Sequence, residues 1–457
     1  MRDNDSWINL KDNKPMENDT ISFCVQPGGT LRGEARVPGD KSISHRSIML
    51  GSLAEGTTRV TGFLEAEDCL ATMNAFRAMG VEIEGAEKGE VSIRGVGLHG
   101  LRAPEEPLYL GNSGTSMRLL CGLLAGQDFD SILTGDVSLS RRPMKRVTEP
   151  LRTMGAMVET TEAGTAPLRI YGRAKLKGIH YEMPVASAQV KSCLLLAGLY
   201  ASGQTCVREP APTRDHTERM LAGFSYPVTG KDETVCIQPD GKLLACDIDV
   251  PGDISSAAFF MVGAAIGEDA DVTLRHVGVN PTRTGILDIL RLMGADIQVL
   301  NPREMGGEPV ADVRIRSSRL YGIEIPQELV PLAIDEFPVL FVAAACAEGE
   351  TRLSGAAELR VKESDRIQVM ADGLQVLGIE AQPTPDGMIV RGGKLSGGKV
   401  RSHGDHRIAM AFSISALRGG GLIEIDDCAN VNTSFPSFVE LARKLGLNIT
   451  AVCGEIL

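Results

Sequence analysis

A chain of 457 residues with 43% hydrophobic and 23% charged residues has ordinary globular composition, and it is too long for a single core, so at least two domains are expected. The formal net charge of -12 argues against non-specific binding to nucleic acid, and no run of about 18 apolar residues is present to span a membrane. An anionic small substrate would therefore need a local basic pocket to overcome the global repulsion.

The first 20 residues, MRDNDSWINLKDNKPMENDT, are polar and of mixed charge. They lack the apolar core of a signal peptide and the Arg-rich look of a transit peptide, so a loosely ordered extension carrying the only Trp, Trp7, is expected. The ten cysteines are scattered without a C-x-x-C pair, which fits a reducing cytosol. His403 and His406 are three apart, but no further Cys or His joins them, so no zinc site is expected.

From Lys41 onward the chain repeats itself. A small-and-apolar helix followed by a short strand begins near Lys41 (KSISHRSIMLGSLAEGTTRVTG), Asn112, Ser187, Asp253, Asp335 and Asp405. After each comes an amphipathic helix that tends to end in Met-Gly or Leu-Gly before entering a strand, as in EDCLATMNAFRAMGVEIE, MKRVTEPLRTMGAMVE and RTGILDILRLMGADIQV. Gly stands there where a left-handed helix end is wanted. The chain thus reads as six α/β units, three in each half, with the midpoint near DIDVPGDISS, residues 247 to 256. The helices of the first type are apolar all round and should be buried; those of the second should face solvent on one side.

The first turns of the buried helices are polar: Lys41-Ser42, Asn112 to Thr115, Ser187-Ala188-Gln189, Asp253, Asp335-Glu336 and Asp405-His406-Arg407. N-capping explains the Ser, Asn and Asp residues. It does not explain Lys41 and Arg407, cations at the positive end of a helix, unless an anion binds between them and the free N–H groups. Arg46, Arg118, Arg141, Arg142, Arg214, Lys362 and Arg366 stand at segment junctions, and together with the helix starts they suggest a pocket for phosphates and carboxylates. GEARVPGDKS only faintly matches a phosphate-binding loop, because Asp40 and Glu34 occupy the places where Gly is needed. No Gly-x-Gly-x-x-Gly opens a nucleotide fold either, so no ATP, NAD or other cofactor is expected.

Seven motifs, in order, carry a resemblance from about residue 27 to the C-terminus: PGDKSISHRSIMLGSLAEGTT, GNSGTSMRLL, SAQVKSCLLLAGL, TRDHTERML, IDEFPVLFVAAACAEGET, RVKESDRI and DHRIAMAF. The chain resembles the 5-enolpyruvylshikimate-3-phosphate synthases, class II branch. That resemblance implies an α/β fold of two similar domains, each of three βαβαββ units, closing around a cleft. Residues 40–250 would form the first domain, and 21–39 with 251–457 the second. It also implies a cytoplasmic monomer that takes shikimate 3-phosphate and phosphoenolpyruvate and is a glyphosate target.

Position by position, Lys41, Ser42, Arg46, Ser187, Ala188, Gln189, Arg214, Asp335 and Lys362 would hold shikimate 3-phosphate. Lys41, Asn112, Gly114, Arg142, Gln189, Glu363, Arg366 and Arg407 would surround phosphoenolpyruvate, with Arg141 the alternative should the SRRPM alignment slip by one. Asp335, at a helix start whose positive end keeps it ionised, is the candidate to take the hydroxyl proton. Glu363 is the candidate to protonate the methylene carbon, and Lys41 could share either duty. Two departures stand out. Thr433 in NTSFP takes the place of a family Lys, and Gly114 lies where some glyphosate-tolerant class II enzymes carry Ala.

Two alternatives remain at this point. The related transferase acting on UDP-N-acetylglucosamine uses a loop Cys, and GDVSLSRRPMKR has none. A catalytically silent repeat protein could bind partners through its charged outer helices. LRVKESDRI, residues 359 to 367, is the stretch on which these readings diverge most. As a surface its charges are interchangeable. As a helix start in a site, Lys362, Glu363 and Arg366 share one turn, while Arg360 and Asp365 are structural.

Overall fold

A computed structural model describes residues 21–231 and 233–453. The expected N-terminal extension with Trp7 lies outside the described residues. Six units follow one another in the chain, each with an inner and an outer helix. They pair α1 (Lys41–Leu53) with α2 (Glu67–Ala78), α3 (Gly114–Leu124) with α4 (Lys145–Thr153), and α5 (Ala188–Gly198) with α6 (His216–Gly223). The second half pairs α7 (Ile254–Ile266) with α8 (Gly285–Leu292), α9 (Phe337–Cys346) with α10 (Arg366–Val376), and α11 (His406–Ser415) with α12 (Phe438–Leu445).

Local chemistry sets the ends of these helices. Asp40, Ser113, Ser187, Asp253 and Asp405 accept hydrogen bonds from first-turn amides of five inner helices, satisfying donors that the helix itself leaves free. The outer helices stop at Gly80, Gly155, Gly294, Gly378 and Gly446, all at positive φ. In the third unit Ser225 takes that role at φ 63°, a conformation that a side chain makes less favourable.

The apolar inner helices are the core. All 13 residues of α7 are buried, so no face of it is left for water. α7 packs on α9 and α11, while α3 packs on both α1 and α5. Among the described residues six small sheets wrap these two helix bundles. One apolar core draws on residues between Ile43 and Val250; the other joins Phe23 to Val37 with Ile254 to Ile449. Strand Ile21–Gly29 lies between strands Ile423–Asp426 and Leu447–Cys453. Strand Arg32–Ala35 runs parallel to Asp271–Gly278, and Ile248–Asp249 completes the sheet of Glu55–Thr61.

The chain thus passes between the two bundles twice, and the two passages are bonded to each other. Asp40 N–H donates to Pro251 O at 2.8 Å and Asp253 N–H to Pro38 O at 2.9 Å. Gly39 is required there, because a Cβ would stand 1.9 Å from the Gly62 carbonyl oxygen. Cys206 and Cys236, opposite each other on adjacent antiparallel strands, form a disulfide that their spacing in the sequence did not single out. Among the described residues no helix is long and apolar enough to cross a membrane.

Candidate active site in the cleft between the bundles

Both bundles aim inner-helix N-termini at one cavity of about 410 Å³. Its walls carry Lys41, Ser42, Asn112, Gly114, Arg142, Ser187, Ala188, Gln189 and Arg214 from the first half. Asp335, Lys362, Glu363, Arg366 and Arg407 line it from the second half. Residues scattered over more than 350 positions of sequence therefore meet at one place. Arg142, not Arg141, lines the cavity; Arg141 is exposed.

Arg46 is the exception. Its guanidinium is turned into the protein, where Nε donates to Thr217 at 2.7 Å, Nη2 to Ser192 at 2.8 Å and Nη1 to the Ser42 carbonyl at 2.9 Å. It is only 5% exposed and is absent from the cavity wall, so it braces Ser42 rather than facing the cleft. Thr433 is likewise buried, its hydroxyl donating to Asn430 O at 2.7 Å.

The cavity floor is a lattice of opposite charges. Asp335 faces Arg214, with Arg366 at 3.4 Å, Lys362 at 3.6 Å and Arg407 at 3.9 Å. Burial would raise its carboxyl, but Arg214, Lys362, Arg407 and Arg366 outweigh this and hold it well below the usual carboxylate range. Asp335 lies two residues before α9, just ahead of its Glu336 cap, and the surrounding cations hold it ionised beside that helix start.

Glu363 sits 2.7 Å from Arg366 and 3.5 Å from Arg142. Burial again pushes its carboxyl up, and Arg366, Arg142, His406 and Lys362 together bring it well below the usual range. Arg366, 1% exposed, is fixed from behind by Asp405, whose carboxylate accepts from Nε at 2.8 Å.

The geometry of LRVKESDRI also differs from expectation. Ala357–Val361 form a 3-10 turn, and α10 begins only at Arg366, with Asp365 as its cap. Lys362 and Glu363 therefore precede the helix, and the turn, not a shared helix face, brings Glu363 onto Arg366. Arg360 donates to Asp365 at 2.5 Å and to the Pro385 carbonyl at 2.9 Å, so this pair pins the turn from outside the cavity.

Several wall residues are additions to those singled out as substrate ligands. Asp68, in the first turn of α2, pairs with the Lys41 ammonium. Arg407 Nη1 donates to the Asp335 carbonyl oxygen at 3.1 Å. The protein's own oxygens thus stand where the cations at these helix starts called for an anion. Burial nonetheless raises the Asp68 carboxyl despite Lys41.

Arg118 donates to Gln189 at 2.5 Å, and burial lowers it to about 10. Arg142 donates to Asn112 at 2.5 Å. At the mouth, Arg146 of α4 reaches across to Glu358, with contacts of 3.0 and 3.5 Å. Arg118 was visible as a junction cation. The first-turn acid of α2 and the last Arg of PMKR carried no local signal. Among the described residues no group of three or more His, Cys, Asp or Glu could hold a metal ion.

A wall of Arg, Lys and helix amides facing two buried carboxylates can bind a multiply anionic pair of substrates, hold their charges and move protons between them. The family model of EPSP synthase (3-phosphoshikimate 1-carboxyvinyltransferase) matches residues 25–441. The chain is 73% identical over 434 residues to the 3-phosphoshikimate 1-carboxyvinyltransferase of Methylococcus capsulatus, covering 95% of this chain and 99% of that one. It is 58% identical to that of Legionella pneumophila, covering 94% and 99%. The solved EPSP synthase of Acinetobacter baumannii superposes with a TM-score of 0.86 at 60% identity, covering 95% of this chain and all of that one. The chain belongs to the EPSP synthase family.

Proposed function

We propose that this cleft transfers the enolpyruvyl group of phosphoenolpyruvate to the 5-hydroxyl of shikimate 3-phosphate and releases phosphate, the family reaction in the route to chorismate and aromatic amino acids. The observation that carries this reading is the convergence of inner-helix N-termini and cationic side chains from both bundles on one cavity that also holds Asp335 and Glu363.

Lys41, Ser42, Ser187, Ala188, Gln189, Arg214, Asp335 and Lys362 would hold shikimate 3-phosphate, and Arg46 would act behind Ser42. Lys41, Asn112, Gly114, Arg142, Gln189, Glu363, Arg366 and Arg407 would surround phosphoenolpyruvate. Glu363 protonates the methylene carbon, and the hydroxyl oxygen bonds to C2 as Asp335 takes its proton. The phosphate leaves with the proton that Asp335 took, and return of a methyl proton to Glu363 gives the enol ether. Arg142, Arg366 and Arg407 neutralise carboxylate and phosphate, and Lys41 meets the departing phosphate.

Held by Arg366, Arg142, His406 and Lys362 alone, Glu363 is ionised and cannot donate. The charges of phosphoenolpyruvate, competing for Arg142 and Lys362, weaken the field that holds it so and let it take up a proton. We read the enzyme as a cytoplasmic monomer. Light scattering behind size-exclusion chromatography tests the oligomeric part, with a mass near 48.7 kDa expected. Phosphate release should require shikimate 3-phosphate with phosphoenolpyruvate. Release with UDP-N-acetylglucosamine instead would favour the related transferase, and binding of neither substrate would favour a silent repeat protein.

A further inference from the structure

Outside the cavity wall lies a buried charge cluster that the reaction does not use. Lys191, on the second turn of α5, is 1% exposed, and its ammonium sits 3.0 Å from Glu209 and 2.6 Å from Glu218. Replacing such a group by apolar side chains is often neutral or stabilising, so stability alone is a poor reason for it.

Its connections point to the cleft. Glu209 also accepts a hydrogen bond from Thr213 Oγ1, and Thr213 precedes Arg214, which faces Asp335 across the cavity. The segment 210–214 carries Pro210 and Pro212 and is neither helix nor strand. Thr213 on Glu209 holds it from one side; Asp215, on Arg219 at 2.8 Å and Asn280 at 2.6 Å, holds it from the other. Lys191 stands two residues after Gln189 on the same helix.

We infer that Lys191 is a positioning residue for the shikimate 3-phosphate half of the site: through Glu209 and Thr213 it sets the loop that presents Arg214. The inference rests on the assignment of Arg214 to that substrate. Neither Lys191 nor Glu209 lines the cavity, so neither acts by touching the ligand.

The test is steady-state kinetics with each substrate varied in turn, on Lys191→Met, Glu209→Gln and Arg214→Ala and on the doubles with Arg214→Ala. Lys191→Met leaves two carboxylates facing each other and can fail to fold. Glu209→Gln keeps the outline outside the cavity wall and removes the charge that ties Lys191 to Thr213, so it carries the test alone if needed; Thr213 itself lines the cavity and would not separate positioning from contact. The expected result is a KM for shikimate 3-phosphate raised about 5- to 30-fold, the scale of one misplaced charged contact, with the KM for phosphoenolpyruvate within about twofold. Each double should be no worse than Arg214→Ala, because groups acting through one contact are not additive. Equal loss for both substrates, or full additivity with Arg214→Ala, overturns the inference. If the unaltered chain turns over neither substrate, the functional reading fails first and takes this one with it.

Discussion

Replacing Glu363 by Gln separates charge from shape at the most consequential position of the cleft. Gln keeps the outline but not the charge. Arg366 keeps Asp405 at 2.8 Å and Asp335 at 3.4 Å, and Arg142 keeps Asn112 at 2.5 Å, so neither cation is stranded and the fold should survive. The Glu363 carboxylate, 3.5 Å from Arg142, competes with the incoming anion. At an effective dielectric of about 20 such a pair attracts by about 5 kcal/mol. Desolvation offsets most of this, leaving about 1.5 kcal/mol for a charge-assisted contact, or roughly tenfold in affinity.

Glu363→Gln should therefore bind phosphoenolpyruvate as well as the parent or up to about tenfold better. Its kcat should fall by roughly 10²- to 10⁴-fold, the usual worth of a general acid. Calorimetry in two buffers of different ionisation enthalpy, with shikimate 3-phosphate already bound, adds a second readout. At pH 7 the parent should take up more protons on binding phosphoenolpyruvate than the variant, by up to about one per site, because Glu363 starts ionised. Turnover within about tenfold of the parent, or identical proton uptake in both, refutes the donor role. Glu363→Asp and Arg366→Lys should each also lose most activity, since neither reproduces the contact at 2.7 Å.

Arg146 and Glu358 are each about one-third exposed, so their bridge across the mouth is worth about 0.5–1 kcal/mol; either neutralisation should raise both KM values about two- to fivefold, and exchanging the two charges should restore them. No coupling in that double-mutant cycle would show that the bridge does not tie the two sides of the cleft together. His45 is fully buried, and desolvation with Lys41 and Arg46 holds it well below its usual value of 6.5. It stays neutral in the folded state while the unfolded chain gains a proton, so stability should fall as pH drops below about 6.5, by at most about 1.4 kcal/mol per pH unit. Denaturant titrations of His45→Asn should show a shallower pH slope; an unchanged slope refutes the assignment. A methyl on Gly114 would stand 3.1 Å from Arg142 Nη1 and 3.2 Å from Arg118 Nη1. Gly114→Ala should weaken phosphoenolpyruvate several-fold and glyphosate more, with inhibition kinetics as the check; equal losses would place the effect on the arginines alone.

What the sequence disclosed is what local chemistry writes. Caps such as Ser113 and Asp405, glycines such as Gly155 and Gly446, and apolar helices such as α7 obey rules that span a few residues. Cations at the starts of α1 and α11 were legible as an electrostatic anomaly. The inward turn of Arg46 was not legible, because a charge at a junction does not say which way it points, and its partners Ser192 and Thr217 lie 146 and 171 residues away. Asp68, Glu358 and Lys191 gain their meaning only from groups that folding brings to them. LRVKESDRI had the right members but the wrong geometry, since a turn and a helix can both unite residues three apart.

The paired crossings have a consequence for how the protein is made. Everything needed for the core between Ile43 and Val250 is present once about half the chain has left the ribosome. Strand 21–29 is synthesised first, yet its partners are 423–426 and 447–453, about 400 residues later. That strand must wait with both edges open through nearly the whole of synthesis, which is when an unpaired edge is most exposed to wrong partners. The first half can thus mature early, while the second closes its ring last. A chain cut before residue 447 should retain the first bundle and lose the second, and Asp335, Glu363 and Arg407 with it.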